Sequence, residues 1–160
     1  MNDTLKTTLW QQFGAAIDML GNAITACPDR SWDTDTQFWY RGYHTIFFLD
    51  YYLADDAATF LPPAPFTLSE MDPAGVLPER VYSKAELLTY LKFCRQKCYS
   101  RITTANDTDR FVNEYRNYSF FEILLYNMRH VQHHTAQLNM LLRQGGTDVP
   151  GWVSQAGELK

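Results

Sequence analysis

The chain has no run of lysines or arginines, and its formal net charge is −4. The electrostatic footprint of a nucleic-acid binder is therefore missing, and no nucleic-acid partner is expected. Uninterrupted apolar stretches of about 18 residues, the length that signals a membrane span, are also lacking. The richest apolar stretch, HTIFFLDYYLA, carries Asp50 in its middle, so no membrane partner is expected either. Cysteine is scarce. Cys27, Cys94 and Cys98 make an odd count without the spacing of a disulfide scaffold, which suits a reducing cytoplasm. The opening MNDTLKTTLW has no basic stretch leading into an apolar one, so no secretory leader is expected. Strand-like alternation is weak, and repeats and low-complexity tracts are absent.

Of the 160 residues, 46% are hydrophobic and 15% aromatic, enough for one domain around a single core over residues 1–160. Four segments have helical periodicity. Leu5, Leu9, Phe13, Ile17, Leu20 and Ile24 recur at steps of three and four, with Asp3 as the expected cap and Cys27-Pro28-Asp29 as the stop. Gly14 and Gly21 interrupt this helix at about 1 kcal/mol each, which predicts close approach of a neighbouring helix. A second helix is expected after Thr34, whose spacing to Gln37 fits a capping box, and should run to about Ala54. A third opens with Ser83 and Glu86 and continues through Leu87, Leu91, Cys94, Cys98 and Ile102. A fourth opens with Ser119 and Glu122 and ends near Arg143, before Gly145 and Gly146.

Between the second and third helices, FLPPAPFTLSEMDPAGVLPER holds five of the seven prolines. It reads as an ordered crossover loop. The expected fold is all-α, a four-helix bundle over residues about 3–145 with one long proline-rich crossover between helices two and three. The tail, residues 146–160, carries little signal beyond Trp152, which is expected to pack.

Three of the four histidines fall within RHVQHHTAQL, on the fourth helix. At 100° per residue, with Phe120 at zero, Val131, Leu138, Leu124 and Leu142 mark a core stripe between about 0° and 40°. His134 then lies at about 320° and His130 at about 280°, while His133 lies at about 220° on the polar side. His130 and His134 therefore form an inward i, i+4 pair, and His133 looks to solvent. His44 sits on the aromatic face of helix two with Tyr40, Phe47, Phe48 and Tyr51.

One histidine on an apolar face is more often a hydrogen-bonded core residue than a ligand, and two histidines four apart are common on helices. Three inward histidines are different, because unpaired buried imidazoles are costly. An i, i+4 pair can reach one metal ion, with a third ligand from a facing helix. Ligation of one divalent ion by His44, His130 and His134 competes evenly with plain packing on these grounds. No carboxylate or thiolate is evident to narrow the choice of metal.

The pattern His130, His133, His134 and Gln137 resembles the closing motif of the DinB-like (YfiT-like) four-helix metal-binding family. WYRGYHTIFFLDYYL, with His44, resembles the family's second helix, and PAPFTLSEMDPAGVLPERVY followed by KAELLTYL resembles one branch of it. The similarity covers residues 1 to about 145. It departs at Thr135 and Ala136, where many members have Arg-Gly.

The resemblance implies that His44, His130 and His134 hold a divalent metal, most often nickel or zinc, and that His133 does not. It also implies a homodimer, and the abundance of aromatics agrees with a partner surface. The activity it implies is transfer of a low-molecular-weight thiol to a small electrophile. A metal-dependent hydrolase using a metal-bound hydroxide, or a non-catalytic metal-binding dimer, are the alternatives. No catalytic base is assigned, since Asp50 and Glu122 read as surface carboxylates. Cys94 and Cys98 read as small core residues.

Overall fold

The computed structural model describes residues 1–157. Its described residues form four α-helices and a two-stranded hairpin: α1 (Asp3–Ala26), α2 (Phe38–Tyr51), α3 (Lys84–Thr104), β1 (Arg110–Val112), β2 (Asn117–Ser119) and α4 (Phe120–Gln144). Helix α1 packs mainly on α3 and α4, and α2 packs on the same two helices. The contacts therefore close a ring, α1–α3–α2–α4, around one core. Phe13, Ile17, Leu20 and Ile24 of α1 meet Ile46, Phe47 and Leu49 of α2, Leu87 and Cys98 of α3, and Val131 and Leu138 of α4 in that core, all buried. No helix among the described residues is long and apolar enough to cross a membrane.

Local chemistry accounts for several helix ends. Ser83 accepts from the Glu86 amide while the Glu86 carboxylate accepts from the Ser83 amide, a complete capping box at the start of α3. Ser119 caps α4 by accepting from the Glu122 amide. At the other end of α4, Gly146 adopts φ 71°, and the Gly146 and Thr147 amides donate to Arg143 O and Leu142 O. That pair of bonds is a Schellman stop, and the left-handed residue is the glycine it favours.

Other expectations need correction. The cap of α1 is Asn2, not Asp3; its side chain accepts from the Leu5 amide at 2.9 Å. No capping box opens α2. Gln37 enters the helix with φ 51° and makes no side-chain cap, and the Thr34 hydroxyl pairs with Thr36 instead. The α2 helix ends at Tyr51, short of Ala54. Gly21 does face a neighbouring helix, since a Cβ there would lie 3.2 Å from Leu91 Cδ2. Gly14 does not: a Cβ there would meet Ala156 Cβ at 2.5 Å, and the Ala156 amide donates to Gln11 O. The tail thus runs against α1, while Trp152 is 72% exposed rather than packed.

Helix α2 also carries a carboxylate misread as a surface group. Asp50 is 1% exposed. It accepts from Lys97 Nζ and, at 2.8 Å, from the Tyr90 hydroxyl, both on α3. An ion pair with its remaining oxygen hydrogen-bonded is the form in which a charge survives in a core. It fixes the α2–α3 register, on the side of α2 away from His44.

The hairpin was not anticipated. Phe111 pairs with Tyr118 and is buried edge-on against Tyr51 and Tyr52 at the end of α2. Its turn is held by Asn113, whose side chain accepts from the amides of Tyr115 and Arg116. Beyond the turn, Arg116 donates to the Tyr126 hydroxyl and lies over the Tyr126 and Tyr52 rings. The hairpin braces the end of α2 against the start of α4, the two helices that carry the histidines.

Candidate metal centre

Helices α2 and α4 face each other, and their histidines meet between them. His44, His130 and His134 each offer a ring nitrogen, and these atoms all lie within 4.8 Å of one another. Ring centroids are 4.5 Å apart for His130–His134, 4.9 Å for His44–His134 and 5.5 Å for His44–His130. The i, i+4 spacing on α4 stacks two imidazoles on one helix face, and the packing of α2 supplies the third. His133 lies on the exposed side, as its angle required. The cluster can hold a metal ion.

Aromatic rings wall the cluster. Phe48 stands 4.9 Å from the His44 ring and 5.8 Å from His130, and Tyr52 lies 5.9 Å from His130. This burial, and then the neighbouring His134 and His44 rings, hold the His130 imidazole down at about 3. Burial also lowers His134, opposed by its bond to Gln137. Both rings are accordingly neutral near pH 7, the state a metal ligand requires.

The hydrogen bonds say which nitrogens are engaged. His44 Nδ1 lies 2.6 Å from Glu70 Oε2, and His134 Nδ1 lies 2.8 Å from Gln137 Oε1. Each of those oxygens can accept from Nδ1, and a neutral ring with its proton there bares Nε2. His130 differs, because its Nδ1 is buried without a hydrogen-bond partner among the described residues. A buried ring nitrogen with no partner beside two bare imidazole lone pairs is the donor set of a divalent ion of borderline softness, so the residues fit such a metal.

Glu70 was not anticipated from the sequence. It lies in a short 3-10 turn, Leu68–Met71, of the segment joining α2 to α3. That segment is anchored by buried Phe66, which stacks on Tyr90, and by Thr67 O, which accepts from the Tyr43 hydroxyl. The anchor brings Glu70 over α2. Its side chain is 3% exposed, and its Oε1 has no hydrogen-bond partner among the described residues. Burial and the adjacent Glu70 carboxylate push the Tyr40 hydroxyl up to about 12. Glu70 lies outside the three-histidine set but in contact with His44, a neighbour that the sequence left without signal.

Solvent borders the cluster at His130. An open groove of about 500 Å³ runs along α4, lined by Tyr126, Arg129, His130, Gln132 and His133. It brings solvent and small molecules to His130. Glu122, on the first turn of α4, is exposed and plays no part here. Cys94 and Cys98 are fully buried on α3 and do not join the cluster. No family model matches the chain, and no curated protein matches it.

Proposed function

We propose that His44, His130 and His134 bind one divalent ion, nickel or zinc, and that the protein uses it to activate a low-molecular-weight thiol for transfer to a small electrophile. The observation that carries the reading is the three-imidazole cluster itself, three ring nitrogens within 4.8 Å with His130 Nδ1 buried and unpartnered. Three neutral protein ligands are the pattern of catalytic rather than structural metal sites. Bound there, the ion supplies positive charge and open coordination positions, which keep a thiol deprotonated at neutral pH.

The chain's own residues do the rest. Gln137 orients His134. Phe48 and Tyr52 exclude water behind the cluster, and the groove beside His130 admits the reactants. In the transfer the thiol proton passes to solvent, the sulfur forms a bond to the electrophilic carbon, and the leaving group departs with its bonding pair.

The helix contacts and the His130, His133, His134 and Gln137 pattern support placing the chain in the DinB-like family, as a four-helix bundle with a proline-rich crossover. Exposed Leu61, Val76 and Leu77 on the crossover support a homodimer. The test is turnover of a panel of small electrophiles by zinc- and nickel-loaded protein, with and without added thiol. Product formation that requires both metal and thiol is expected. Ester or amide cleavage that persists without thiol would replace the reading with hydrolysis by an activated water. Absence of any turnover, with azide failing to perturb a cobalt-substituted site, would leave a closed, non-catalytic module.

A further inference from the structure

The metal reading accounts for three histidines but leaves Glu70 unused. No lysine or arginine among the described residues pairs with this carboxylate; its partner is the His44 ring. Its side chain is nearly fully buried, one oxygen lies 2.6 Å from His44 Nδ1, and the other has no hydrogen-bond partner among the described residues. Burying a carboxyl group that no lysine or arginine neutralises is costly, even with the Tyr40 hydroxyl beside it, and the 3-10 turn that carries it is otherwise surface-exposed at Leu68 and Met71. A residue serving only to tether the crossover would not need this position, because Phe66 and Thr67 already anchor the segment to Tyr90 and Tyr43.

Resting on the three-histidine reading above, we propose that Glu70 is a positioning residue for the metal centre, delivered by the crossover segment. It accepts the Nδ1 proton of His44, holds that ring in the tautomer that bares Nε2, and fixes its rotation toward His130 and His134. A carboxylate behind a ligating imidazole also raises the basicity of the nitrogen that faces the ion. The three ligands are thereby treated unequally: His44 is backed by a carboxylate, His134 by the neutral Gln137 amide, and His130 only by aromatic rings. The crossover thus becomes part of the site rather than a connection beside it.

The test compares wild type, Glu70→Gln and Glu70→Ala for zinc dissociation constant, by competition with a chromophoric chelator. Cobalt(II) absorption spectra and metal-free thermal melting are recorded on the same samples. Glu70→Ala should weaken zinc binding by roughly 10- to 100-fold, the usual effect of losing such a partner, and shift the cobalt bands while one ion per chain still binds at saturation. Glu70→Gln, whose amide oxygen can still accept from Nδ1, should recover part of the loss.

Nitrogen chemical shifts of His44 in the metal-free wild type, in mildly alkaline buffer, should report a proton on Nδ1. Unchanged zinc affinity and cobalt spectrum in both variants, with only metal-free melting lowered, would make Glu70 a tether and overturn the proposal. So would a proton on Nε2 of His44. If wild type itself binds no zinc or cobalt, the three-histidine reading falls and this inference with it. If wild type binds and Glu70→Ala binds equally, Glu70 alone is removed.

Discussion

Gln137 Oε1 lies 2.8 Å from His134 Nδ1, while Nε2 of the same amide lies 3.2 Å from His133 Nε2. The amide thus bridges the two rings. In this arrangement its oxygen accepts from a proton on His134 Nδ1 and its amino group donates to His133, which leaves the Nε2 of a neutral His134 bare toward the cluster. If His134 is a ligand as proposed, replacing Gln137 with Ala should weaken zinc binding about tenfold or more, with metal-free melting little changed, because the residue acts through the orientation of that ring. His133→Ala removes only the outer end of the relay and should weaken binding less. Competition titration of the two variants beside wild type checks the order.

The buried Asp50–Lys97–Tyr90 group makes a separate prediction about stability. Asp50→Ala leaves the Lys97 ammonium and Tyr90 hydroxyl without their buried partner. The expected loss is about 3–5 kcal/mol in urea unfolding. Asp50→Asn keeps an acceptor for Tyr90 and should lose less. Neither change touches the histidines, so the number of zinc ions bound per folded chain should not change.

The three cysteines should be silent while the protein is folded. Cys27, Cys94 and Cys98 are each 1% exposed or less. Burial pushes the Cys27 thiol up to about 11 and holds Cys94 and Cys98 well above their ordinary value. Thiolate is the reactive form, so a disulfide labelling reagent should modify none of the three at neutral pH and all three in denaturant. Rapid labelling of Cys94 or Cys98 in the native protein would contradict the packing of α3, and labelling of Cys27 the burial at the end of α1.

Acid should weaken the start of α3. Glu86 is held at about 2, below its ordinary 4.5, first by the two bonds from Arg80 and then by the Ser83 amide and hydroxyl. A carboxyl whose folded pKa is depressed contributes stability that is full above about 4.5 and is lost as pH falls from there to about 2. The difference in melting temperature between wild type and Glu86→Gln should accordingly shrink across that window. Ser83→Ala should cost about 1 kcal/mol at neutral pH, the usual worth of an N-cap.

The parts legible in the sequence were those written in helical period. The inward placement of His130 and His134 and the outward placement of His133 follow from rotation about one helix axis, and they hold in the structure. The burial of Cys94 and Cys98 follows from the stripe they share with Leu87 and Leu91. Features that depend on other segments were not legible. Glu70 is one acidic residue among prolines and exposed apolar residues, and nothing periodic links it to His44. Asp50 looked like a surface break in an apolar run because its partners, Lys97 and Tyr90, lie on another helix. The hairpin strands are three residues each with one buried position at Phe111, too short for alternation to register. The cap of α1 was missed by one residue, Asn2 for Asp3, since both residue types favour that position.

Metal content per chain tests the central claim most directly. Wild type and the single variants His44→Ala, His130→Ala, His133→Ala and His134→Ala are reloaded identically with zinc and nickel and measured by plasma mass spectrometry. The account predicts close to one ion per chain in wild type and His133→Ala, and a marked fall in the other three. A folded wild type without bound metal, or equal metal in all five proteins, would contradict it and return the three histidines to the core as packing residues.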